Sequence, residues 1–363
     1  MYSLDLQSLK VFPLGQRKSL TRADEILVDP DSRAKDCTSE QSAVIADCAK
    51  KMRLAREKDA GVMLIYGAHL LRNGAARILE RMMAARWLNH LATNGAGTIH
   101  DWEYSWFGAS TESVEMNVAT GTFGAWDETA KTIHLALMSG ALDGLGYGRS
   151  LGRFIAEDGT YLPSKEDLIS LIASDPLHPL TAARADLLQA IVKQGWATGP
   201  VKVDHRFKEA SILASAFRHQ VPMSVHPGIG YDIIANHPVF NGAVIGRGAE
   251  LDFKLFGGSL ARMEGGVVLS IGSAIMGPQV FEKSLSCVNN LRLQAGLQPL
   301  RDLSIYVVDL QDGGSWDWTK GEPPKNHPAY YLRFCKSYSR MGGTMRYLQM
   351  DNLQFMHHLY QQL

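Results

Sequence analysis

His100, Asp101 and Glu103 sit together in the sequence, directly after Asn94-Gly95-Ala96-Gly97. A histidine beside carboxylates is suited to moving protons near neutral pH, because the imidazole changes charge in that range. On a helix, residues three apart share a face, so His100 and Glu103 can address one ligand. A plainer role is also open: a tight turn in which Asp101 and Glu103 offset the helix dipole. No GxGxxG is present, so this is not the ordinary dinucleotide fingerprint.

Four other groups have comparable types and spacing. Ser270-Ile271-Gly272-Ser273-Ala274 is a small-residue turn able to cradle a pyrophosphate, or simply a short connection between a strand and a helix. The run from Asp309 to Trp318 holds Asp312, Gly314, Ser315, Trp316 and Asp317; its tryptophans line a pocket or staple a surface turn. His226-Pro227-Gly228-Ile229-Gly230-Tyr231-Asp232 follows the same pattern, and Phe334-Cys335-Lys336 offers a lysine that by itself reads as a solvated charge. The histidine pairs His357-His358 and His226/His237 lack ligand spacing, so no metal site is expected.

These groups fall where strands end. Short apolar runs over 62–66, 88–93, 221–225, 267–271, 303–309 and 346–350 read as strands. Helical periodicity follows at 41–58, 69–86, from about Thr98, at 127–141, 145–156, 164–173, 181–194 and 205–219, after Ser273 through Arg292, and at 352–361. Alternating strands and helices predict an α/β fold, a doubly wound, mostly parallel, Rossmann-like sheet with helices on both faces. Ligands of such sheets lie at the carboxyl ends of the strands.

The 363 residues are 45% hydrophobic, which supports a large core, and carry 37 basic against 37 acidic side chains. That balance gives no basic footprint for nucleic acid. No apolar run is long enough to span a membrane, and residues 1–18 lack signal-peptide features. Cys37, Cys48, Cys287 and Cys335 form no CxxC pair and read as reduced thiols, so a cytoplasmic protein is expected. Residues 1–40 read as an irregular arm and 41–363 as a single domain.

The ordered turns together resemble the deoxyhypusine synthase family, from about residue 60 to the end with a divergent stretch at 110–200. Tyr66 to Gly74 is similar to the family's first strand–helix turn, with Ala68-His69 where the family has a Ser-Asn pair touching NAD. Thr93 to Asp101 stands at its Thr-Ala-Gly-Gly turn and acidic run, with Asp101 retained and His100 at an acid position. His226 to Asp232, Ile271-Gly272-Ser273, Gly314-Ser315-Trp316-Asp317 with Asp312, and Met350-Asp351 match later turns; Phe334-Cys335-Lys336 stands near the Trp-Gly-Lys of the catalytic lysine. Asn94 to Gly108 is also similar to the C-terminal domain of bifunctional ornithine-cyclodeaminase-type enzymes.

The resemblance implies NAD, held by Ala68, His69, Asn94, Gly95, Ala96, Gly97, Gly272, Ser273, Asp312, Gly314, Ser315 and Asp351. It implies an amine or amino-acid substrate near Asp232, Asp317, Trp316, Glu103 and His226. His100, Asp101 and Lys336 are the implied chemical residues, acting by hydride abstraction and an imine in a transferase or lyase. An ornithine-cyclodeaminase-like deaminating lyase and a non-catalytic NAD-binding or structural homologue are the alternatives. A homotetramer is the expected assembly.

Overall fold

The computed structural model describes residues 3–363. The chain divides into two compact units. One comprises residues 26–97, 219–226 and 253–363; the other comprises the N-terminal residues to 25, 98–218 and 227–252. The expected boundary at residue 40 does not coincide with either division.

The first unit is built on six parallel strands: β1 (Val62–Tyr66), β2 (His90–Asn94), β3 (Met223–His226), β4 (Val267–Ile271), β5 (Ser304–Asp309) and β6 (Thr344–Gln349). Their spatial order is β6-β5-β4-β1-β2-β3. The chain winds outward from β1 to β3 on one side, crosses back, and winds outward from β4 to β6 on the other. β1 and β4 therefore lie side by side, in register from Val62 with Val267 to Tyr66 with Ile271. Every residue of these two central strands is buried, as their unbroken apolar runs require when both faces are covered. The edge strand β6 is exposed at its two ends, Thr344 and Gln349.

Helices cover both faces. On one, Met63, Ile65, Val268, Ile305, Val307 and Met345 pack with Phe281, Leu285, Phe334 and Tyr338. The last four come from the helices Met276–Gln294 and Arg333–Ser339. On the other, Tyr306 of β5 donates to Asp47 in the helix Ser39–Glu57, which opens with a capping box between Thr38 and Gln41. The α/β doubly wound class is therefore observed.

Two local expectations are corrected. The helix expected over 69–86 is two, Ala68–Arg72 and Ala76–Ala84, interrupted at Asn73-Gly74. The expected turn at Asn94 to Gly97 is absent: β2 passes directly into the helix Gly95–Phe107, and the Asn94 side chain accepts from Gly97 N at 3.0 Å. Asparagine supplies the first-turn acceptor that a separate loop would otherwise provide.

The second unit is mainly helical. Its helix Asp127–Ala141 is buried from Thr129 onward except at Lys131, as a helix apolar on nearly all sides must be. An antiparallel pair, Gly159–Leu162 with Gly199–Lys202, was not read from the sequence. The helix expected over 205–219 is confined to Ile212–Arg218, after a short 3-10 turn.

Candidate functional site

The strand order places a reversal of winding between β1 and β4. Here the turns after the two strands touch. A side chain at Gly67 would put its Cβ 2.0 Å from the Gly272 carbonyl oxygen, so only glycine allows this approach. Gly272 itself has φ +59, a conformation that favours glycine, and a Cβ there would lie 2.3 Å from the Asn352 amide nitrogen. Ser273 is buried, and its hydroxyl accepts from Gly277 N at 3.1 Å inside the first turn of Met276–Gln294. Asn352 is buried against this turn, and its Oδ1 has no hydrogen-bond partner among the described residues. Asp351, the expected cofactor contact, instead caps the final helix by accepting from Gln354 N at 2.9 Å. Ala68 is half-buried beside Gly67, whereas His69 is exposed with its ring 3.5 Å from Arg72.

The loop after β5 is organised by its own groups. Trp318 is buried and donates to the Gly313 carbonyl, and Trp316 donates to that of Gly321, each at 2.9 Å. Asp312 accepts from Gly314 N at 2.8 Å, and Ser315 is exposed with φ 52. Asp317 is exposed; hydrogen bonds from Thr319 hold its carboxyl below the usual range. The tryptophans therefore staple the turn. Lys336 is half-buried, with its ammonium 3.3 Å from the centre of the Tyr330 ring and 3.8 Å from Glu322. Two residues along the same helix, Tyr338 faces Gly277 instead.

In the second unit the His-Asp-x-Glu segment forms two distinct buried arrangements. Glu103 is fully buried and meets Arg17 at 2.7 Å and the Thr129 hydroxyl at 2.9 Å. Ser110 donates its proton to the other carboxylate oxygen. With that proton committed, Ser110 accepts from His100 Nδ1 at 2.7 Å. Glu103 is thus occupied with holding Ser110 and Arg17. Asp101 accepts from Ile212 N at 2.7 Å, from Leu213 N at 3.2 Å and from the Ser211 hydroxyl, so it caps the helix Ile212–Arg218. Burial pushes its carboxyl up to about 7, against the opposing pull of those hydrogen bonds. Asp232 is buried and accepts from Gly228 N at 2.7 Å, closing its own turn.

His226 ends β3 opposite Asn94 at the end of β2. Burial lowers its ring to about 4. Its Nε2 lies 3.1 Å from Ser224, which lies 2.9 Å from His90. Sequence reading missed His90 and Ser224, although Ser224 and His226, two apart in a strand, must share a face. It also missed Arg17, Ser110 and Asn352. Arg17 carries no local signal, because its partner is distant in sequence. Among the described residues no group of three His, Cys, Asp or Glu could hold a metal, and no helix is long and apolar enough to cross a membrane.

No family model and no curated protein matches the sequence. Among solved structures, the apo arginine dihydrolase ArgZ from the cyanobacterial ornithine-ammonia cycle is 10% identical, covering 88% of this chain and 32% of its own, with a TM-score of 0.42. AgrE in ternary complex with ornithine and NAD+ is 14% identical, covering 90% and 34%, at 0.41. A candidate deoxyhypusine synthase from Entamoeba histolytica is 11% identical, covering 75% and 80%, at 0.35. This chain spans about a third of the length of the first two. No residue role is carried over from any of these structures.

Proposed function

We propose that this chain binds an NAD-type dinucleotide at the carboxyl ends of β1 and β4 and serves an enzyme reaction on an amine or amino acid. The observation that carries the reading is the reversal of strand order between β1 and β4. In open doubly wound sheets the ligand crevice lies outside the strand ends at that reversal. The residues there fit such a ligand. Gly67 and Gly272, whose N–H groups are donated to Ile271 and Val308, bring the two turns together, and the small residues Ala68 and Ser273 beside them leave little side chain in a ligand's way. Asn352 Oδ1, buried and without a partner, supplies an acceptor that a ligand N–H or hydroxyl would satisfy.

A bound dinucleotide of this type supplies a hydride acceptor. The chain's own contribution is proton handling. The resemblance assigns the general-base role to His100, whose Nδ1 lies 2.7 Å from the Ser110 hydroxyl. Asn94, Gly95, Ala96 and Gly97 complete the expected cofactor set along the β2 edge. The finer form of the reading, a deoxyhypusine synthase-like transferase or lyase with Lys336 as nucleophile, requires that ammonium to leave the Tyr330 ring and lose its proton.

A thermal-shift titration with NAD+ tests the binding step. Stabilisation that grows with concentration is expected, because the ligand binds only the native state. No shift at millimolar NAD+, with mass spectrometry finding no co-purified nucleotide, overturns the reading.

A further inference from the structure

We propose that His226, Ser224, His90 and Ser259 form a proton relay, which makes His226 Nδ1 the reversible proton acceptor for a ligand at the carboxyl edge of the sheet. The first evidence is continuity. His226 Nε2 lies 3.1 Å from Ser224 Oγ, Ser224 Oγ lies 2.9 Å from His90 Nε2, and His90 Nδ1 lies 2.9 Å from Ser259 Oγ. His90 and Ser224 are fully buried, His226 is nearly so, and Ser259 is half-exposed. The string therefore runs from the end of β3 to a partly solvated hydroxyl. His226 Nδ1 makes no hydrogen bond among the described residues.

The second evidence is proton counting. Ser224 has one proton and two imidazole nitrogens as neighbours. With both rings neutral it donates to one and accepts from the other, so one of the two Nε2 atoms is protonated and the other is not. Burial, with Phe256 edge-on to both rings at 5.4 Å, keeps the rings neutral. The two tautomers are therefore locked together.

The linked states interconvert without a net charge inside. When His226 Nδ1 takes a proton from a ligand ammonium, its Nε2 proton passes to Ser224. Ser224 gives its own proton to His90 Nε2, His90 gives its Nδ1 proton to Ser259, and Ser259 releases one to water. One proton enters, one leaves, and no heavy-atom bond changes. Afterwards His226 Nδ1 is a donor, ready for the reverse step.

The proposal rests on the reading that the ligand binds at this edge, and nitrogen-15 NMR of histidine-labelled full-length protein tests the two separately. Without ligand, His90 and His226 should show opposite protonation at Nε2. Ser224→Ala should leave the His226 ring as a mixture of tautomers, and Ser224→Thr should restore the single form. Identical tautomers in the two rings, or a Ser224→Ala spectrum matching wild type, overturns the relay. Added NAD+ should then move both rings in wild type but only His226 in Ser224→Ala. If NAD+ moves neither ring while the tautomers are linked, the ligand edge lies elsewhere and His226 is not its proton acceptor.

Discussion

The two units bury polar groups by opposite means. Around Glu103 the buried grouping is ionic and enclosed: Arg17, Thr129 and Ser110 engage both of its carboxylate oxygens. Along β2 and β3 the buried grouping is neutral and open-ended, with His226 Nδ1 left over at one end and the half-exposed Ser259 at the other. A closed ionic knot fixes geometry; it has no capacity left for a ligand. An open neutral string has capacity at its ends. The residue types that look most chemical in the sequence, the acids after His100, are therefore spent on architecture. The capacity lies with histidines, and with Asn352 beside two glycine turns.

The largest expected effect comes from breaking the closed knot. Glu103→Leu leaves the Arg17 guanidinium buried without its carboxylate, and removing one partner of a buried pair costs about 3–5 kcal/mol. Urea unfolding should show that loss as a lower midpoint. Adding Arg17→Met should recover much of it, because the pair removed together leaves no orphaned charge. A double variant no more stable than Glu103→Leu would show that the knot is not the cause.

Gly67→Ala comes next. Its methyl meets the Gly272 carbonyl at 2.0 Å, so one strand–helix turn must move. Forcing volume into a packed contact costs about 1–3 kcal/mol. The NAD+ thermal shift should also vanish, since the displaced backbone is the proposed cradle. An unchanged NAD+ shift in a folded Gly67→Ala protein would move the cradle away from the strand reversal.

The histidine string predicts a pH dependence of definite sign. Burial lowers His90 from the ordinary 6.5 to about 3, so the unfolded chain binds a proton more readily than the native one between those values. Stability from this ring is complete above 6.5 and is lost as pH falls through the window, by about 2 kcal/mol at pH 5 for a ring that stays neutral in the fold. Asp101 has the opposite slope: raised to about 7, it costs stability as pH climbs from 3.8. His90→Gln should therefore flatten the acid limb of the unfolding curve. An equally steep limb in that variant would assign it to other groups.

The sheet was legible because its central strands are buried on both faces and so written as unbroken apolar runs such as Val62–Tyr66 and Val267–Ile271, and the outer strands overlap their expected ranges. Gly272-Ser273 was legible as a turn for the same reason. The expected turn at Gly95 was misread because glycine signals a break only when no neighbour caps the chain, and Asn94 caps it. Glu103 was read as substrate-binding since spacing shows that it shares a face with His100, but not that Arg17 lies there. The helix Gly242–Leu260 was missed, its pattern diluted by glycines at 242, 246, 248, 257 and 258.

Lys336 gives the smallest expected effect and the sharpest separation of roles. Its ammonium over Tyr330 and its distance of 3.8 Å from Glu322 describe a cation held by a ring and an acid. A partly exposed cation–π contact is worth about 0.5–1 kcal/mol. Lys336→Met keeps the aliphatic stem on the ring and removes only the charge, so the unfolding midpoint should drop by no more than that, with the NAD+ shift retained. Should the lysine instead be the covalent nucleophile, it must form a Schiff base with a carbonyl substrate, and such adducts are trapped by borohydride. Incubation with an amine panel and NAD+, then borohydride and intact-mass measurement, distinguishes the two. A mass increase in wild type that disappears in Lys336→Met would establish the nucleophile and require the side chain to leave Tyr330 in turnover. No adduct, alongside a retained NAD+ shift, leaves Lys336 as a tether for the helix Arg333–Ser339, whose Tyr338 packs beside Gly277 behind the β4 turn.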